Sequence, residues 1–431
     1  SEMCIRDSRC VVRSVITAFY RIGPPDVGRR THERSSLYNQ RMTTLSGRIP
    51  NDLSPNRLAA ARARIGDVPY DLTVSNPTRC GFEYPVNLLE GLNSPSALVY
   101  RPDPRGPRSG REAVAAEYRR WSVSADPDRV TLTASTSEAY SFLFKLLCDP
   151  GDAILVPSPS YPLFDHLARL DAVECIAYDL EPDGGWRIDF AQLETAPGRV
   201  RAVVVVHPNN PTGSYVHPVD ADRLVTLCRD RGWALIADEV FLSFPLDGGP
   251  GEDRTFAAVA DCLCFTLGGL SKSVALPQLK LAWIIAGGPE EEVRSSLESL
   301  DVVADAYLSV STPIATAAPG LLTAGTQIRP QIGQRCRANL ETLRRIVRRE
   351  PSMSVLPAGG GWCAVLRLPQ IGDEDEFYLR LLTECGVAIH PGYFYDFPAG
   401  GYAVVSLLSP EEAFGEGVRR LTELVGRTIN A

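Results

Sequence analysis

Beyond residue 100 the chain alternates between two kinds of segment. Short runs of aliphatic and β-branched residues at 130–133, 153–156, 203–206, 234–237, 263–267 and 281–286 are separated by longer stretches of helical potential, among them 137–148 and 218–231. Strands alternating with helices predict an α/β fold in which a mostly parallel central sheet carries helices on both faces. The four consecutive valines from Val203 to Val206 suit a strand buried on both sides, which is where central parallel strands sit. From about residue 329 an Arg-rich helix over 334–350 and the segments 353–368, 377–389 and 402–408 predict a smaller α+β domain. Near the other end, apolar residues at helical spacing predict a helix over 52–66, and residues 71–78 read as a short extended segment and turn.

Charge and composition narrow the classes of function. A net charge of −8 argues against a polyanion-binding surface, so no nucleic-acid partner is expected. No apolar run approaches the roughly 20 residues that span a bilayer, so no membrane partner is expected either. The 11 cysteines are odd in number and scattered, which fits a reducing, cytoplasmic setting. Lysine is the most informative count: only Lys145, Lys272 and Lys280 occur among 44 basic residues. Where a plain cation serves, this chain uses Arg, so a retained Lys points to a need for an amine that can lose its proton.

In open parallel sheets, ligands bind outside the carboxyl ends of the strands, so the residues just after each apolar run are inspected first. After 130–133 comes Ala134-Ser135-Thr136-Ser137-Glu138, with capping-box spacing and hydroxyls at a helix N-terminus suited to phosphate. The valine run is followed by His207-Pro208-Asn209-Asn210-Pro211-Thr212-Gly213, a rigid turn presenting a side-chain amide. Asp238 ends the run at 234–237, and a carboxylate there needs a partner. The fourth exit, Gly268-Gly269-Leu270-Ser271-Lys272, delivers one of the three lysines, and a lysine at a strand exit can act as nucleophile or base. Each motif alone is also an ordinary cap, turn or surface group.

The ordered set of Ser135 to Glu138, Asn210 to Gly213, Asp238 and Lys272 resembles the fold-type-I pyridoxal-phosphate enzymes of the class I/II (aspartate/alanine-like) aminotransferase family, from about residue 71 to the C-terminus. The resemblance implies that fold: a mostly parallel central sheet with helices on both faces plus a smaller α+β domain. It implies pyridoxal 5'-phosphate as cofactor, and an amino acid and a 2-oxo acid as substrates. Lys272 is then expected to hold the cofactor as a Schiff base and to carry a proton. Asp238 is expected to pair with the pyridine nitrogen, Asn210 to bond the phenolic oxygen, and Tyr161 to stack on the ring. Thr136, Ser137 and Lys280 are expected to bind the phosphate. Tyr100 resembles the tyrosine that reaches the neighbouring subunit's phosphate, which implies a homodimer with shared sites. Asn76, Arg79 and Tyr393 are the candidate substrate contacts. The expected organisation is a disordered or non-native extension over 1–41, an N-terminal arm and part of the small domain over 42–95, a large cofactor-binding domain over 96–325 and a C-terminal small domain over 326–431.

Three positions depart from the family pattern. Lys280 stands where an arginine is usual, Phe241 where a tyrosine is common, and Val404 where the family places the arginine that clamps the substrate carboxylate. The alternatives that remain are a lyase on the same scaffold, for β-elimination or with chemistry like that of aminocyclopropane-carboxylate synthase, and a non-catalytic cofactor-binding sensor domain. Trp362 reads as small-domain packing, and the cysteines and the other histidines read as structural.

Overall fold

The computed structural model describes residues 46–50, 52–196 and 198–429; the extension expected at 1–41 lies outside them. The chain enters through a helix over Arg57–Ile65, which Asn56 caps at one end and Gly66 ends with a positive φ of 79°. It then forms β1 (Tyr70–Asp71). The large sheet is built from β2 (Val130–Thr133), β3 (Ala153–Ser158), β4 (Glu174–Glu181), β5 (Arg187–Ile188), β6 (Val200–Val206), β7 (Ala234–Asp238), β8 (Cys264–Gly269) and β9 (Ala282–Gly287). Their order across the sheet is β2-β9-β8-β7-β6-β3-β4-β5. β8, β7, β6, β3 and β4 run parallel, and β9 is antiparallel to both β8 and β2.

The valine run does what four apolar residues in a row require. Val203 and Val205 pack on one face with Leu155 and Leu235, while Val204 and Val206 pack on the other with Ile154 and Ile236. Burying each such side chain is worth about 1.5–3 kcal/mol, so a two-sided strand is favoured over one with a wet face. Because β6, β7 and β8 are parallel and in register, Val206 lies beside Asp238 and Asp238 beside Leu267. The strand exits therefore open at one edge of the sheet.

The small domain carries β10 (Ser354–Val355), β11 (Cys363–Arg367), β12 (Val387–Ala388), β13 (His390–Pro391) and β14 (Tyr402–Ser406). Four of these form an antiparallel sheet in the order β10-β11-β14-β13, and β12 pairs in parallel with β1, which ties the N-terminal segment into this domain. Its core gathers Leu72, Leu381, Phe414 and Val425. One helix of 36 residues, Thr312–Val347, packs against the helix Arg108–Glu117 and against the C-terminal helix Glu411–Ile429. It is far longer than the helix expected over 334–350 and runs unbroken through residue 325, so the boundary expected there falls inside a helix. Pro319 and Pro330 within it hide its first half from a reading of helix signals.

Candidate active site

At the carboxyl ends of the strands a cleft of about 110 Å³ is lined by Thr136, Tyr161, Asn210, Asp238 and Lys272 from the large domain, and by residues of the small domain opposite. The helix Thr136–Leu147 starts beside it. Ser135 Oγ accepts from the Glu138 amide at 3.1 Å, and Glu138 Oε2 accepts from the Ala134 amide at 2.7 Å. That reciprocal cap orients a first turn whose remaining amides have no intrahelical acceptor, with Thr136 and Ser137 at its head.

Asp238, the last residue of β7, is deeply buried. Burial pushes its carboxyl up, opposed by the Val240 amide, by the Tyr140 hydroxyl and by the charge of Lys272. The amide donates to Oδ1 at 3.1 Å and the hydroxyl to Oδ2 at 3.1 Å. Tyr140 lies one turn into the helix Thr136–Leu147, on the face that meets Asp238; sequence reading passed over it. The neighbouring Glu239 points elsewhere: its carboxylate accepts from Thr255 Oγ1 at 2.7 Å and from the Phe256 amide at 2.6 Å. Burial raises it to about 8.

Lys272 sits in the short helix Leu270–Ser273 directly after β8. The glycines before it are a packing requirement, because a Cβ at Gly268 would lie 2.5 Å from Trp283 Nε1. The lysine ammonium lies 5.3 Å from the Trp362 ring centroid and 5.7 Å from that of Phe241. From behind, Arg329 of the long helix donates through Nε to the Ser273 carbonyl at 2.7 Å. The same guanidinium meets Glu117 at 2.7 Å in a buried ion pair.

The opposite wall is formed by Trp362, Cys363, His390, Tyr395, Val404 and Ser406 of the small domain, with Thr73 and Ser75 of the N-terminal segment. Trp362 packs edge-on against Phe241 and Phe244, so it belongs to the small-domain core and also lines the cleft. Its buried Nε1 has no hydrogen-bond partner. Cys363 and His390, read from sequence as structural or not singled out, also face the cleft.

The remaining candidates lie elsewhere. Lys280 adopts a left-handed conformation (φ 52°) after the turn Pro277–Leu279, two residues before cleft-lining Ala282. Asn76 caps the turn Pro77–Arg79, its Oδ1 accepting from the Thr78 amide at 3.1 Å and hydroxyl at 2.7 Å. Arg79 is exposed. Tyr393 is exposed and donates its hydroxyl to Asp375 Oδ1 at 2.5 Å, and Tyr100 is exposed. None of these six, Ser137 included, is among the cleft-lining residues. Among the described residues no cluster of His, Cys, Asp and Glu could hold a metal ion, and no helix is long and apolar enough to cross a membrane.

Residues 93–412 match the family model described as aminotransferase class I and II. The chain belongs to that family. This aminotransferase is 28% identical over 362 residues to an alanine aminotransferase of Mycobacterium tuberculosis, covering 81% of this chain and 84% of the relative. It is 26% identical over 344 residues to a glutamate-pyruvate aminotransferase of Escherichia coli, covering 76% and 83%. Among solved structures, an Escherichia coli aminotransferase superposes with a TM-score of 0.79 at 21% identity, covering 89% of this chain and 98% of that one. An alanine aminotransferase from Pyrococcus furiosus superposes at 0.76 and 22% identity, covering 86% and 95%. At such identities the structural likeness bears on the fold, a large mostly parallel α/β sheet of the fold-type-I kind.

Proposed function

We propose that this aminotransferase binds pyridoxal 5'-phosphate in the cleft and moves an amino group between an amino acid and a 2-oxo acid. The observation that carries the reading is the convergence of Asp238, Asn210, Lys272 and the Thr136 helix start on one cleft. The residues suit this cofactor in a way that can be checked against their surroundings. Asn210 Oδ1 is buried with no hydrogen-bond partner, which an incoming polar ring substituent answers. Asp238 is a buried carboxylate pushed toward its protonated form, so a cationic ring nitrogen is the partner that keeps it ionised.

When bound, the cofactor supplies the electron sink that lets the substrate Cα lose its proton. The chain's residues do the rest. Lys272 Nζ anchors the cofactor, then takes the proton from Cα and returns it on the other side of the exchange, a role a guanidinium could not fill. Asp238, held by Tyr140 and the Val240 amide, fixes the ring nitrogen's proton. Thr136 and Ser137 receive the phosphate at the helix start, with Lys280 as its cation. Tyr161 covers the ring face. Asn76, Arg79 and Tyr393 are the substrate contacts of this reading; like Ser137 and Lys280, they lie outside the cleft lining of a single chain.

A homodimer completes the reading. Leu98 (88% exposed), Tyr100 (71%) and Val302 (73%) leave apolar surface bare. Tyr100 shares a shallow groove with Ala304 and Leu308, a face that a second copy covers and from which Tyr100 reaches the partner's phosphate. The nine cysteines among the described residues are all unpaired thiols, which supports a cytoplasmic setting. Thr73 and Ser75 of the N-terminal segment act together with the small domain as one wall of the cleft, and the strand ends of the large domain supply the other.

The test is to load the purified protein with pyridoxal 5'-phosphate and record its absorption as single amino acids are added without a 2-oxo acid. Stoichiometric conversion to the pyridoxamine form is expected; accumulation of 2-oxo acid and ammonia with the pyridoxal form intact defeats the reading in favour of a lyase. Borohydride reduction followed by peptide mapping should place the pyridoxyl group on Lys272. Recovery on either other lysine overturns the site.

A further inference from the structure

Among the residues that line the cleft, Lys272 is the one lysine and there is no arginine. On the aminotransferase reading, on which this inference rests, that lysine is committed to the cofactor. The carboxylate of an amino acid therefore meets a wall of neutral groups, and a carboxylate taken from water without a partner is strongly disfavoured. Two hydroxyls of that wall already have acceptors: Ser406 Oγ donates to the Val74 carbonyl, and Thr73 Oγ1 to Asp71 Oδ1 at 2.5 Å.

His390 is differently placed. Pairing of β13 with β14 sets it directly opposite Val404, and both residues line the cleft. Its Nδ1 lies 3.0 Å from the Tyr395 hydroxyl. That nitrogen is the hydroxyl's one hydrogen-bond partner among the described residues, so the O–H donates to Nδ1 and the neutral ring carries its own proton on Nε2. Burial keeps the imidazole neutral, lowering it to about 4, with Asp71 opposing and Arg62 assisting. Tyr395 thus turns His390 into a donor at the edge of the cleft where a larger cation is absent.

We propose that His390, its tautomer set by Tyr395, receives the substrate carboxylate at the position that Val404 leaves without a guanidinium. His390 is then the residue that selects acids over their neutral analogues, and Tyr395 is a positioning residue acting through it.

The experiment uses the cofactor-loaded full chain and two unreactive probes of one shape, propanoate and propanamide, with binding followed by calorimetry and by absorption of the cofactor. The wild type is expected to prefer propanoate. His390→Leu should weaken propanoate about tenfold or more, the worth of a hydrogen bond to a charged group, and leave propanamide nearly unchanged. His390→Gln, which keeps an N–H donor, should recover much of the loss, and Tyr395→Phe should lose about threefold, the lower end for a hydrogen bond's net worth. Equal losses for both probes, no loss, or a wild type that binds the amide as well as the acid overturns the proposal. If His390→Leu fails to fold, the glutamine and phenylalanine variants carry the same comparison. Turnover is scored separately: charge-selective binding without turnover of any amino acid defeats the aminotransferase reading and leaves His390 in place, whereas turnover without charge selectivity does the reverse.

Discussion

The two walls of the cleft are built by different rules. The large-domain wall consists of strand ends and the turns that follow them, and its polar groups are held by backbone: Asp238 by the Val240 amide, the Thr136 turn by its reciprocal cap, the Lys272 turn by Arg329 through a carbonyl. The small-domain wall consists of side chains on strands that pair across long sequence separations, with His390 opposite Val404 and Trp362 wedged between Phe241 and Phe244. The first wall keeps the family's motif residues at Thr136, Asn210, Asp238 and Lys272 and departs at Phe241, and the second holds the departure at Val404. A reaction shared by a family needs the first to be constant, while the second is free to follow the substrate.

Substitutions that act on one wall at a time sharpen this contrast. The largest expected effect is at the clamp behind Lys272. Glu117→Gln leaves Arg329 buried without its counter-charge, which should cost about 3–5 kcal/mol in a denaturant titration and lower kcat through a loosened lysine turn. Next is Glu239, which burial holds protonated up to about pH 8 in the folded chain, whereas it ionises near 4.5 when unfolded. The folded state binds the extra proton between those limits, so this group's contribution to stability falls as pH rises through them. Glu239→Gln should therefore gain on the wild type from pH 5 to pH 8, by about 3–4 kcal/mol across that range, as denaturation midpoints will show. Tyr140→Phe removes one donor from the buried Asp238 carboxylate. It is expected to cost about 1–3 kcal/mol and to lower kcat more than it changes KM, measured with one donor amino acid. The smallest effect belongs to the other wall: Trp362→Phe deletes an N–H that is already buried without a partner but leaves a small cavity in the core, so stability should fall by about 1–2 kcal/mol while KM moves more than kcat. A Trp362→Phe variant crippled in kcat with KM intact breaks the division between the walls.

Much of the large wall was legible in the sequence because strand exits are local. The run at 130–133 coincides with β2, and the helix over 218–231 coincides with Pro218–Arg231. β4 was not legible: Glu174, Asp179 and Glu181 interrupt its apolar residues because it lies near the sheet edge and is largely half-exposed. Lys272, Asp238, Asn210 and Thr136 announce themselves as polar residues that end apolar runs. Tyr140 does not, since its importance depends on which face of a mostly apolar helix meets β7. The resemblance of His390-Pro391-Gly392-Tyr393 to the family's C-terminal loop points to Tyr393, whose hydroxyl donates to Asp375 instead. His390 and Tyr395 become significant only through a pairing with β14 that no local pattern encodes.

The 36-residue helix Thr312–Val347 is a strut of roughly 54 Å shared by both walls. Pro330 removes one rung of its hydrogen-bond ladder and so marks where the strut bends most easily. The residue before that proline is Arg329, whose guanidinium grips the Lys272 turn. The turn that carries the lysine is thus moored, through one side chain, to a helix that also packs against the small domain's C-terminal helix.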